Sequence, residues 1–360
     1  MRKFIISFFC FFKYLFLKNK VDVLFYYPEH FNRGVDGENL YFQPLIESCQ
    51  LNNISYLILE EPDFKLDNLR NRGAIPFDFI YFLIILFRKI GFTEKKIGEI
   101  LLFTFFRGIK FKNYIVLSQS MLEIFRSINK DAKLFDLQHG IIYSNKSSYI
   151  KNNIVNSTLS DNNVELLVVG DGFRQLFLES DPQNYFKNNI HVIGTKKQKI
   201  FFHANPNKSV LVTLQITEDH TKDQNQKLLD EIINMIHENN NFIFYIRNHP
   251  RFKNDLDLSE LFKISHIAPK SLIECFRDCS FHVTAYSTTT FECAEFGIPT
   301  VFLKSLKDSF NMFEDDFQYP FQSTLNDISL NYNTYSYKVK NWRERFYADF
   351  DEQKFVSLLK

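Results

Sequence analysis

FHVTAYSTTTFECAEFGIPTVFL, residues 281–303, is the stretch on which the fold turns. Its apolar start, FHVTAY (281–286), predicts a buried strand. STTTFECAEFG (287–297) predicts a helix that Gly297 stops, and PTVFL (299–303) predicts a second strand. Two strands joined by a helix make the repeating unit of a parallel sheet.

The same alternation extends upstream. SVLVTLQ (209–215) reads as a strand, and TKDQNQKLLDEIINMIHENN (221–240) as an amphipathic helix with Leu228, Leu229, Ile232, Ile233 and Ile236 on one face. NFIFYIR (241–247) reads as a strand, FKIS (262–265) as a short one, and SLIECFRDC (271–279) as a helix. This is one doubly wound domain. The first half repeats the pattern in VDVLFYY (21–27), ISYLILE (54–60), YIVLSQ (114–119), KLFDLQ (133–138) and ELLVVG (165–170). After IHVIG (190–194) the chain turns polar (195–208), which marks a boundary. The expected organisation is α/β with two Rossmann-like domains, 1–194 and 195–335. A closing helix is expected in 336–360, within WRERFYADFDEQKFVSLL (342–359).

Composition narrows the function. The formal net charge of +1 on 360 residues leaves no general basic field for nucleic acid, so any anion site is local. The cysteines, at 10, 49, 275, 279 and 293, form no C-x-x-C pair and no zinc spacing, which suits free thiols in a reducing compartment. Phe is abundant, with 42 copies against 11 Gly. MRKFIISFFCFFKYLFLKNK (1–20) is too short in its apolar part to span a bilayer. It reads equally as a helix packed on the protein or as an interfacial helix with Lys and Arg at lipid headgroups. PFDFIYFLIILFRKIGF (76–92) reads as the first of a pair of buried helices, or as a Phe/Lys surface facing an anionic leaflet.

Ligands of open parallel sheets bind beyond the C-terminal strand ends, and three polar clusters fall there. Gln138-His139-Gly140 follows KLFDLQ. His139 is placed to take a proton from an attacking hydroxyl, and Gly140 lets the backbone turn; a structural turn histidine fits the same residues. Arg247-Asn248-His249-Pro250 follows NFIFYIR: Arg247 offers a fork to phosphate, His249 a further hydrogen bond, and Pro250 ends the strand. Ser287, Thr288, Thr289 and Thr290 supply more hydroxyls than one helix cap needs and so suit an anion. Glu292 stands one turn in, where it either holds a ribose hydroxyl or closes a capping box with Thr289. Asp171-Gly172 follows ELLVVG, with Asp171 as a base or a helix cap; Asp136 either orients His139 or faces the cleft.

Together LQHG (137–140), YIRNHP (245–250) and AYSTTTFECAEFGIPTVF (285–302) resemble the GT-B glycosyltransferases of bacterial capsule, O-antigen and teichoic-acid assembly. These include the CDP-glycerol glycerophosphotransferases and the CMP-sugar transferases. The resemblance runs from about 134 to 303 and is poor over the first hundred residues. It implies two Rossmann-like halves facing across a cleft, with His139 as general base of an inverting, metal-independent transfer that uses no cofactor. It implies that Arg247, His249, Ser287, Thr288 and Thr289 hold the phosphates of a nucleotide-sugar donor. The sialyltransferase branch uses an acidic residue before glycine as base, which Asp171-Gly172 matches. The implied partners are a nucleotide-sugar donor, a glycan or lipid-linked acceptor and the cytoplasmic face of the membrane. A CDP-linked polyol-phosphate transferase and a GT-B-like sugar-nucleotide epimerase are the competing activities.

Overall fold

A computed structural model describes all residues except 1, 17–18, 33, 64–68, 197–205, 219, 250–255 and 307–310. The chain divides into two compact units, Met1–Lys197 with Tyr347–Lys360, and Gln198–Phe346.

The first unit contains strands β1 (Asn19–Pro28), β2 (Tyr56–Glu61), β3 (Ile75–Pro76), β4 (Ile109–Leu117), β5 (Lys133–Leu137), β6 (Ile150–Lys151), β7 (Ile154–Val155), β8 (Val164–Val168) and β9 (Ile190–Val192). Seven of them form one parallel sheet in the order β3-β2-β1-β4-β5-β8-β9, while β6 and β7 make a separate ribbon. The order reverses between β1 and β4, so the crevice of this sheet opens beyond their C-terminal ends. Burial explains the sequence patterns. In β4 exposed Lys110 and Lys112 alternate with buried residues at the start, and then Asn113–Leu117 are all buried, as for a strand covered on both faces.

The second unit holds β10 (Ser209–Thr213), β11 (Ile243–Arg247), β12 (His266–Ile267), β13 (Phe281–Thr284) and β14 (Thr300–Phe302), in the order β12-β11-β10-β13-β14, all parallel. Helix Lys222–Glu238 starts at a Thr221–Gln224 capping box and buries Leu228, Leu229, Ile232 and Ile236 against this sheet. His282, fully buried, ties three strands: Nε2 meets Thr213 Oγ1 and Nδ1 meets Thr300 Oγ1, each at 2.9 Å. Burial holds its pKa down at about 3, so it stays neutral.

Three expectations need correction. Residues 262–265 are not a strand: the helix Ser259–Lys263 precedes β12. The strands before the 118–121 and 285–287 segments stop short, at Leu117 and Thr284, because both segments turn. The closing segment is two helices, Tyr332–Phe346 and Glu352–Leu358. Between them Ala348 donates to Val169 O and Asp349 pairs with Thr195, and Asp351 caps the second helix through Lys354 N at 2.9 Å. Phe355, Val356 and Leu359 then enter the core of the first unit with Phe25 and Ile115. Gly194 permits this return. It has φ +74, and a Cβ there would lie 2.0 Å from Asp349 O.

Helix Arg2–Phe16 is both packed and exposed. Ser7 and Phe11 are buried, with Ser7 Oγ accepting from Phe79 N at 3.0 Å and Phe11 against Phe77 and Phe106. Its outer side shows Ile5, Ile6, Phe9, Phe12 and Phe16. Helix Asp78–Lys89 packs beside it through Phe79 and adds exposed Phe82 and Leu86. Among the described residues no helix is long and apolar enough to cross a membrane.

Candidate functional site

In the first unit four loops leave the C-terminal sheet edge near the reversal point. Gln138 links two of them: its side chain donates to Gly140 O at 2.9 Å and accepts from Val169 N at 3.0 Å. The loops after β5 and β8, carrying His139 and Asp171, are thereby neighbours. His139 is half-buried, with its ring 4.6 Å from Phe31 and 6.1 Å from Tyr41, both in the segment after β1. Gly140 has φ +65 and open space where a Cβ would point. Asp171 is exposed, opens the helix Asp171–Glu179 and bonds Arg174 at 3.4 Å and Gln175 at 3.3 Å within that helix. These are the contacts of a helix-start carboxylate.

Asp136 does not orient His139. It is fully buried, accepts from Gln119 N and from the Tyr149 hydroxyl, both at 2.7 Å, and lies near Lys146. Burial pushes the Asp136 carboxyl up to about 7, against the Gln119 N–H, the Tyr149 hydroxyl and Lys146. Lys146 donates to Ile141 O at 2.8 Å, and burial draws its amine below the usual range while Asp136 opposes.

A second buried set lies at the ends of β1 and β2. Arg70 meets Glu29 at 2.7 Å, Glu60 at 3.4 Å and Asp78 at 2.6 Å, and all three carboxylates are buried. Burial raises the Glu60 carboxyl, with Asn32, Asn71 and Arg70 pulling it back. No sequence signal pointed to this set, since its members are dispersed from 29 to 78.

In the second unit β11 and β13 flank β10, and their ends carry the predicted donor-binding residues. Arg247 is half-buried, and its Nη1 donates to Pro269 O and Lys270 O, both at 2.9 Å. Part of its fork therefore holds the loop after β12. His249 is half-buried beyond it, and Pro250 lies outside the described residues. Ser287 is buried, its Oγ accepting from Thr289 N at 3.2 Å and donating to Thr289 Oγ1 at 3.0 Å; Thr288 is exposed. The helix Thr289–Glu295 is only seven residues long, so the hydroxyls rather than a long helix dipole define this corner. No side-chain cap forms there, so Thr289 and Glu292 make no capping box. Glu292 keeps contact with solvent. Its carboxyl is held above the usual range by surrounding protein and by Glu295, with Arg247 opposing.

A network that the sequence did not flag sits where this sheet reverses, between β10 and β13. His220 bonds the Tyr286 hydroxyl through Nε2 and Asn225 Oδ1 through Nδ1, at 3.2 Å for the latter. Asn225 in turn donates to Thr217 O at 2.8 Å. The histidine in ITEDH (216–220), just past a strand end, was the available clue.

No protein-family model and no curated protein matches this chain. Solved structures do. A variant of the wall teichoic acid polymerase TagF, soaked with CDPG, aligns with a TM-score of 0.52 at 11% identity, covering 94% of this chain and 87% of that one. The UDP-GlcNAc 2-epimerase of Neisseria meningitidis bound to UDP-GlcNAc gives 0.54 at 13% identity, covering 95% and 99%. That of Methanocaldococcus jannaschii, in complex with UDP-GlcNAc and UDP, gives 0.52 at 14%, again covering 95% and 99%. The fold is GT-B. At these identities the likeness establishes architecture, and the chemistry rests on the residues above.

Proposed function

We propose that this chain is a glycosyltransferase that moves a sugar from a nucleotide-sugar donor, with a CMP-sugar favoured, to a surface polysaccharide or lipid-linked glycan. The observation that carries this is the collection of Arg247, Ser287, Thr288 and Thr289 at the C-terminal edge of the second parallel sheet. Guanidinium and hydroxyl donors there suit the phosphate of a leaving nucleotide, whose charge grows as the glycosidic bond breaks. Glu292 is the partner for a ribose hydroxyl. His139 accepts the proton of the acceptor hydroxyl as its oxygen attacks the anomeric carbon, which inverts that centre. Asp171 is the second candidate base. Gln138 sets the backbone around His139, and Gly140 leaves space beside it.

The exposed rows Ile5, Phe9, Phe12 and Phe16, with Phe82 and Leu86, support peripheral contact with the cytoplasmic face of a membrane. Lys13 and Lys89 on the same two helices suit anionic headgroups. This face favours a lipid-linked acceptor over the epimerase reading, which needs none. The likeness to TagF keeps transfer of a polyol phosphate from a CDP-linked donor as the second reading, served by the same donor corner.

The test is thermal melting with CMP, CDP and UDP, followed by product analysis with the labelled donor of the best nucleotide. A nucleotide at ~100 times its dissociation constant adds roughly 2.7 kcal/mol of stability. Arg247→Ala should abolish that gain, and His139→Ala should abolish transfer while sparing it. Equal melting with every nucleotide, or full transfer by His139→Ala, would overturn the reading.

A further inference from the structure

The second unit holds a cavity that the proposed chemistry does not use. Its volume is about 1130 Å³, and it is lined by the helix Lys222–Glu238, by β14 and the residues just after it, and by the segment 311–327. None of the donor-corner residues Arg247, His249, Ser287, Thr288, Thr289 and Glu292 lines it. The sheet order explains the separation. Arg247 ends β11, whereas Leu303, Lys304 and Ser305 follow β14, three strand positions away. At about 4.8 Å per strand that is roughly 14 Å. Ala285 also lines the cavity and stands two residues before Ser287, so their Cα atoms lie within about 7 Å. The cavity is thus distinct from the phosphate corner and next to it.

One wall is a row of rings. Phe302 lies 4.9 Å from Phe313 and 5.0 Å from Tyr319, and Tyr319 lies 5.0 Å from Phe321. The Tyr319 hydroxyl accepts from Thr300 N at 2.7 Å, and Phe321 packs on Tyr335 at 4.5 Å. The rings are locked to one another and to β14, so this wall is preformed and loses little freedom when a ligand binds. Phe302, Tyr319 and Phe321 are only half-buried and keep contact with solvent. Ring faces carry negative potential, which suits the C–H groups on the faces of a sugar. Asn234 on the helix and Gln322 on the segment beyond Tyr319 are exposed to the same cavity. Their amides both donate and accept, as sugar hydroxyls require.

The charges narrow the ligand further. The lining carries five carboxylates against two amines, Lys227 and Lys304, which disfavours a phosphate or a polyanion. Three of the carboxylates are already engaged. Asp230 accepts from Gln226 at 2.8 Å, Glu231 from Lys304 N at 2.7 Å, and Asp327 closes a capping box with Thr324. The remaining surface is mainly aromatic and amide. The volume also exceeds the roughly 300–1,000 Å³ of a small-molecule pocket, which suits a chain of linked units. We propose that this cavity is a second saccharide site, on the unit that carries the donor corner, and that it holds a neutral stretch of a glycan chain. The proposal rests on the transferase reading in its choice of a glycan.

Isothermal titration calorimetry of the full chain tests it, with maltohexaose and chitohexaose as neutral probes, hexagalacturonate as the anionic one and spermidine as the cationic one. The wild-type chain should bind at least one neutral hexamer and should not bind hexagalacturonate. Asn234→Trp and Gln322→Trp fill the cavity from two different walls, and both positions are exposed, so the fold tolerates the change. Each should weaken hexamer binding on the order of tenfold or more. The melting shift given by the best nucleotide should be the same in all three proteins. The proposal is overturned if neither neutral hexamer binds, if both variants bind as the wild type does, or if hexagalacturonate or spermidine binds in place of the neutral sugar. A nucleotide shift that persists beside such a result leaves the transferase reading intact, whereas a shift absent from the wild type removes that reading instead.

Discussion

Replacing Asp136 with asparagine should make the protein more stable above neutral pH and should flatten its pH dependence. The carboxyl is fully buried, and its pKa is raised from 3.8 to about 7. In the window between those values the folded chain keeps a proton that the unfolded chain has released. The folded state therefore binds more protons, and stability falls as pH rises through the window, levelling off above about 7. At 1.36 kcal/mol per unit, the full cost of ionising Asp136 in place is about 4 kcal/mol. Asparagine carries no charge to bury. Its Oδ1 can still accept from Gln119 N, and the Tyr149 hydroxyl can turn to accept from Nδ2, at a loss of about 1 kcal/mol for weaker, neutral hydrogen bonds. The net gain at about pH 8 is therefore roughly 2–3 kcal/mol, shrinking to nothing or reversing by about pH 4. Urea unfolding of both proteins across this range measures it, with slopes compared to confirm that the unfolded states match. Parallel stability–pH curves for the two proteins would refute the reasoning.

Two further substitutions test the packing of the first unit. Arg70→Met strands the buried carboxylates of Glu29, Glu60 and Asp78 and should cost about 3–5 kcal/mol near neutral pH. Part of that loss should return in mild acid as the carboxylates take up protons; urea unfolding at two pH values reads both, and an unchanged midpoint would contradict the assignment. Gly194→Ala places a methyl 2.0 Å from Asp349 O at a left-handed residue, so it should cost about 2–4 kcal/mol and release the C-terminal segment. Limited proteolysis should then cut near residues 347–351 faster than in the wild type, and equal rates would show that the close approach is not needed.

Much of the fold is legible in the sequence because the period of apolar residues reports burial directly. SVLVT and FHVT are buried throughout because these parallel strands are covered on both faces, and the helix 222–238 shows its buried stripe at helical spacing. Strand ends also located Gln138-His139-Gly140, Arg247 and Ser287–Thr289, because a strand end is a property of one short stretch of chain. Four things could not be read locally. The Arg70 cluster, the His220–Tyr286–Asn225 network, the bond from Gln119 N to Asp136 and the return of 347–360 to the first unit each join residues far apart in the chain. Asp136 shows the difference most plainly. Its place on KLFDLQ was evident, but whether it served His139 or the Gln119 turn depended on which strand and loop packed against it. Periodicity specifies which face a residue shows, and only the packed sheets specify what that face meets.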